Sequence, residues 1–153
     1  MSFIYLASPY SDPDPMVRNQ NFQNAKKAAA YLLRRTSSVV YSPVVYGVVL
    51  EQEATLGRQT HAFWMRQARA MLACCTEVCV LVVPGTGKSV GVAEEIALAQ
   101  RLNKNVTYCG LRTDRHGRAV LLRLKGLETE QPPVYLDPRT LALLDQPESL
   151  QWD

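Results

Sequence analysis

Within residues 88–95, Lys-Ser-Val-Gly-Val-Ala-Glu-Glu, two small residues stand just ahead of two carboxylates. Ser89 and Gly91 open a predicted helix and leave its first N–H groups uncovered, an arrangement suited to an anion such as a phosphate. Glu94 and Glu95 are adjacent in sequence but about 100° apart around a helix, so only one of them can share its inward face. Glu95 lies three residues after Val92 and four before Ala99, which selects it as the inward one. An inward carboxylate beside an anion site has the chemistry of a nucleophile or a general base. The competing reading is that both glutamates only complement the helix dipole.

The same helix start ends a stretch, Val80 to Ser89, that looks like the phosphate-gripping loop of an ATPase. Such a loop needs a glycine at the place where Val82 stands. Val82 belongs to an apolar run with Val78, Val80, Leu81 and Val83 that predicts a buried strand, and a valine resists the positive φ of a tight loop. No later hydrophobic run ends in an aspartate to hold Mg2+. The P-loop ATPase reading is therefore weak. What remains is a strand, a Gly-rich turn and a new helix.

The elements that must position this helix follow from periodicity. Phe3 to Ala7 predict a strand ending at Ser8-Pro9, and Asp14-Pro15 predict the start of a helix that runs to about Arg35. Val17, Ala25, Ala28, Ala29, Leu32 and Leu33 give that helix one apolar face. A second strand ends at Ser42, stopped by Pro43, with residues 44–57 as a covering loop. A helix from Thr60 to Cys74 leads to the strand 78–83, and the helix 89–102 leads to a short strand 105–109. Strand and helix alternate through residue 109, which predicts a parallel sheet covered on both faces. Binding sites in such sheets lie at the carboxyl ends of the strands. Three loops qualify: Ser8-Pro9-Tyr10, Ser42 to Tyr46, and Pro84 to Gly91. Beyond them, residues 113–117 predict a hairpin turn and Asp137 the start of a last helix, in a C-terminal extension 110–153 packed on a core of residues 3–109.

Composition bounds the alternatives. The 153 residues, 47% apolar and 20% charged, fit one domain with a sizeable core. A net charge of +3 is too small to argue for nucleic-acid binding, and the arginines of residues 101–125 read as a solvated face. Cys74, Cys75, Cys79 and Cys109 lack metal-ligand spacing and read as buried reduced thiols, as in a cytosolic protein. The N-terminus has no basic leader, and its apolar run is too short for a signal peptide or membrane span.

Residues 4–10 (IYLASPY), 38–43 (SVVYSP), 63–85 (FWMRQARAMLACCTEVCVLVVPG) and 89–99 (SVGVAEEIALA) together resemble the nucleoside 2-deoxyribosyltransferase-like superfamily, most closely small bacterial and phage members of undefined function. The resemblance implies a three-layer sandwich of flavodoxin-like or Rossmann-like form with a mostly parallel sheet. It also implies cleavage of the N-glycosidic bond of a (2′-deoxy)nucleoside 5′-monophosphate by hydrolysis or transfer, with no metal or redox cofactor and with a homo-oligomeric assembly. By the same resemblance Glu95 is the nucleophile, Ser89 and Gly91 hold the phosphate, and Ser8, Pro9, Tyr10, Ser42 and Tyr46 surround the sugar and base. Glycoside chemistry calls for a second acidic group. The position where similar proteins carry an aspartate aligns with Ala68. His61 and Trp64, on the same segment, are candidate contacts in its place or partly buried core residues. A shifted register, a replaced aspartate and a non-catalytic nucleotide-binding protein are the other readings of that alanine.

Overall fold

A computed structural model describes residues 1–123. Its elements are β1 (Phe3–Ala7), α1 (Pro15–Arg35), β2 (Val39–Tyr41), α2 (Pro43–Glu51), α3 (His61–Cys74), β3 (Glu77–Val82), α4 (Val90–Arg101), β4 (Asn105–Thr113) and β5 (Ala119–Arg123), with one 3-10 turn at Thr86–Lys88. The strands form a single sheet in the order β2-β1-β3-β4-β5. β1 pairs in parallel with β2 and β3, and β3 with β4, whereas β5 returns antiparallel to β4. The protein is therefore an α/β sandwich with a mostly parallel sheet, as the alternation of elements predicts.

Alternation along the strands divides the core in two. Tyr5, Ala7, Val78, Val80 and Val82 point to the face covered by α3 and α4, where they meet Met65, Leu72, Ile96 and Ala99. Ile4, Leu6, Cys79, Leu81 and Cys109 point to the face covered by α1, where Ala28 lies against them. The chain leaves β1 in one direction to reach β2 and crosses back over β1 to reach β3. Right-handed crossovers taken in opposite directions put their helices on opposite faces. The crevice opens where the direction reverses, between the carboxyl ends of β1 and β3.

Helix α1 begins as the sequence predicts, with Asp14 as N-cap accepting from Met16 N and Pro15 in the first turn. Its buried stripe is Asn21, Ala25 and Ala28, while Val17 and Leu33 are exposed, contrary to the apolar face read from spacing. Asn21 donates to the carbonyl of Tyr10 at 3.1 Å and so ties the β1–α1 loop to the helix.

The larger correction concerns residues 44–57. Pro43 does not lead into a loop; it opens α2, with Ser42 as the N-cap whose Oγ accepts from Val45 N at 3.3 Å. Ser-Pro is a helix-start signal, but the β-branched residues and Gly47 that follow are poor helix formers and obscured it. Packing prevails over propensity here. Gly47 lies against the Trp64 ring, where a Cβ built on it would stand at an ordinary contact distance of 3.5 Å, so α2 packs on α3 at this point.

Two smaller corrections follow. Cys74 is exposed, unlike the other three thiols. β4 extends past residue 109 to Thr113, because β5 supplies it with a second neighbour, and residues 113–117 make the expected hairpin turn. The helix predicted from Asp137 lies outside the described residues.

Candidate active site

The loop after β3 does not form a phosphate-gripping cradle. Val82 is 3% exposed and lies inside the strand. Gly85 takes a left-handed φ of 93°, and Thr86 closes the turn on itself, donating to Leu81 O at 3.0 Å and accepting from Val83 N at 2.9 Å. The turn delivers the chain to Ser89, the N-cap of α4, whose Oγ accepts from Val92 N at 3.2 Å. The N–H groups of Val90 and Gly91 have no acceptor within the helix and point outward from its positive end.

Helix α4 separates the two glutamates as the spacing requires. Glu94 points outward and meets Nε2 of His61 at 3.1 Å. Glu95 is 6% exposed, and its Oε1 accepts from the Tyr5 hydroxyl at 2.7 Å. Neither carboxylate lies in the first turn of the helix, so the dipole reading does not account for them. Burial pushes the Glu95 carboxyl up to about 8, the Tyr5 hydrogen bond opposes that rise, and the charge of Glu94 adds to it. Tyr5, deep in the sheet, is raised well above the ordinary phenol range by burial and by the same carboxylate, and therefore stays a donor.

Glu95 lines a cavity of about 860 Å³ at the carboxyl ends of β1 and β3. Of the residues predicted for the site, Ser8, Tyr10, His61, Trp64, Ala68, Ser89 and Gly91 line the same cavity. His61, Met65 and Ala68 come from successive turns of α3 and form one wall. Ala68 is 2% exposed and offers the cavity a methyl group. Ser8 is buried, and its Oγ has no hydrogen-bond partner among the described residues, a state that buried hydroxyls rarely keep unless something binds them.

Pro9, Ser42 and Tyr46 are not brought to the cavity wall. Pro9 is buried behind the β1 turn, and the Ser42 hydroxyl is engaged as the cap of α2. Tyr46 sits edge-on to Trp64 with ring centroids 6.5 Å apart and against Tyr41 at 5.7 Å, which places it behind the indole. Sequence reasoning passed over Asp12, Arg18, Glu51, Arg58 and Lys88, which also line the cavity. Arg18, Arg58 and Lys88 form no ion pair with a described carboxylate. Asp12 and Arg58 lie on loops, Lys88 in the 3-10 turn and Glu51 on the overlooked helix α2, where no periodicity marks a face, while Arg18 lies on α1 outside its buried stripe. No group of described residues has the make-up of a metal site, and no described helix is long and apolar enough to cross a membrane.

Fold and site together define a doubly wound α/β protein whose cavity is lined by charges of both signs, with a buried carboxyl at its switch point. Residues 2–110 match the family described as domain of unknown function DUF1937, and the chain belongs to that family. No curated protein matches the chain. Among solved structures, a 2-desoxiribosyltransferase from Leishmania mexicana is similar at 14% identity and a TM-score of 0.48, over 96% of this chain and 99% of that one.

Proposed function

We propose that the protein is an N-glycosidase or deoxyribosyltransferase acting on a (2′-deoxy)nucleoside 5′-monophosphate, with Glu95 as nucleophile. The observation that carries this reading is the pairing of a buried carboxyl with an anion-binding helix start on the same α4. The 5′-phosphate sits against the N–H groups of Val90 and Gly91 and the proton of Ser89, whose oxygen already accepts from Val92. The C1′ carbon then lies over Glu95. Tyr5, donating to Oε1, fixes the carboxyl so that the second oxygen attacks. The carbon–oxygen bond forms as the carbon–nitrogen bond breaks, and the electron pair leaves with the base, which takes up a proton from water. Water or a second base then displaces Glu95 from C1′. Arg18, Arg58 and Lys88 place positive charges on the cavity wall, beside the carboxylates of Asp12 and Glu51, where an anionic substrate can meet them.

Chromatography of ribo- and deoxyribonucleoside 5′-monophosphates after incubation tests the reading. Release of free base that disappears in the Glu95→Ala variant supports it. Full activity in that variant refutes the nucleophile assignment.

Ala68 favours a second reading, a nucleotide-binding protein that captures its ligand without cleavage. An alanine can neither protonate a departing base nor orient a sugar hydroxyl. On this reading a nucleotide stays with the protein through gel filtration and no base is released. Release of base by Ala68→Asp alone would mark position 68 as the missing acid.

A further inference from the structure

Glu51 closes α2 at the helix C-terminus, where the dipole disfavours a negative charge. It is nevertheless held firmly. Its Oε1 accepts from Nε1 of Trp64 at 2.5 Å and from the backbone N–H of Gln59 at 3.0 Å. The other oxygen, Oε2, has no hydrogen-bond partner and no cation within ion-pair distance among the described residues, and Glu51 lines the cavity. A carboxylate fixed through one oxygen, on a residue that lines a cavity, keeps its second oxygen available to a donor.

The donor must come from whatever lies beside Trp64. That indole lines the cavity together with Gly47, which lies against its ring, and is held by Phe63, whose ring is 5.0 Å away and edge-on at 90°. A flat aromatic surface next to a lone acceptor suits a heterocycle with an N–H group on its edge. With phosphate at the start of α4 and C1′ over Glu95, the wall formed by α2 and α3 is the side left for the base.

We propose that Glu51 reads the base: its Oε2 accepts from an exocyclic amino group, so that the pocket takes amino-bearing bases in preference to those with a carbonyl at the same position. The proposal rests on the nucleotide reading of the site. Uracil sets a carbonyl oxygen where cytosine sets an amine, and that oxygen opposes the carboxylate with no proton between them. Trp64 is a positioning residue, since it holds Oε1 and thereby aims Oε2.

The test is equilibrium binding of dCMP and dUMP, which differ in the C4 substituent and in whether the adjacent N3 carries a proton, to the Glu95→Ala protein, which cannot turn them over. The expected result is dCMP bound about tenfold more tightly than dUMP. In the added Glu51→Gln change the amide keeps an oxygen for Trp64 and Gln59 and turns an NH2 toward the base, so the preference reverses. Trp64→Phe keeps the ring, loses the donor and narrows the discrimination without abolishing binding, which keeps the test valid if Glu51→Gln does not fold. Equal affinity for dCMP and dUMP, or a preference untouched by Glu51→Gln, overturns the role of Glu51 while leaving the nucleotide reading in place. Failure of every nucleotide to bind overturns both.

Discussion

Glu95 is held by two opposing influences, burial that favours its proton and a Tyr5 hydrogen bond that favours its charge. Burial is the larger, so at neutral pH the carboxyl is mostly protonated. A nucleophile must be ionised, and kcat/KM for base release is expected to rise with pH, pass its half-maximum near pH 8 and level off above it. Tyr5→Phe removes the influence that lowers the value, so the rise moves to higher pH; a limb unmoved by that substitution would separate it from Glu95. Glu95→Ala is expected to reduce turnover by at least about a thousandfold, measured by the same chromatographic release of base.

Two helices shape the site, α4 by carrying that residue and α2 by packing on Trp64 of α3. Ser89 caps α4, and Ser89→Ala removes the bond to Val92 N at a cost of about 1 kcal/mol. On the proposed reading the same substitution also deletes a donor to the phosphate, so calorimetric titration should show weaker binding of nucleoside 5′-monophosphates and unchanged binding of nucleosides. Equal weakening of both would place the defect in the fold rather than the phosphate contact. In α2, a Cβ at Gly47 makes only ordinary contact with Trp64 at 3.5 Å. Gly47→Ala is therefore expected to raise stability by about 0.5–1 kcal/mol through helix propensity, read from urea unfolding. A loss of stability instead would mean that α2 and α3 cannot separate even slightly.

On the scale of the whole molecule, the same carboxyl governs how stability depends on pH. Its folded value of about 8 lies above the ordinary 4.5, so the folded protein holds the proton more tightly than the unfolded chain. Its contribution is complete below about pH 4.5, declines as pH rises, and is lost above about pH 8. Thermal unfolding across that window should show a falling Tm in the natural protein and a flatter profile in Glu95→Gln, which retains an acceptor for Tyr5. Identical slopes would mean that Glu95 is not buried as an acid. Leu81, fully buried between the sheet and α1, offers a control remote from the cavity: Leu81→Ala should cost about 2–5 kcal/mol without altering that pH dependence.

The alternation of strands and helices, the caps at Asp14 and Ser89 and the inward turn of Glu95 were legible in the sequence, because each depends on residues within one or two turns of chain. Period and capping are local physics, and the sequence by itself determines them. The helical state of residues 43–51 was not legible, since β-branched residues and a glycine argue against a helix until Trp64 is packed against Gly47. Nor were Tyr5 as the partner of Glu95, 90 residues away, or Glu51 as the partner of Trp64. Only the tertiary structure decided those pairings. A hydrogen bond between distant residues depends on how the sheet is ordered and how closely its helices lie, and neither leaves a periodic trace in the chain.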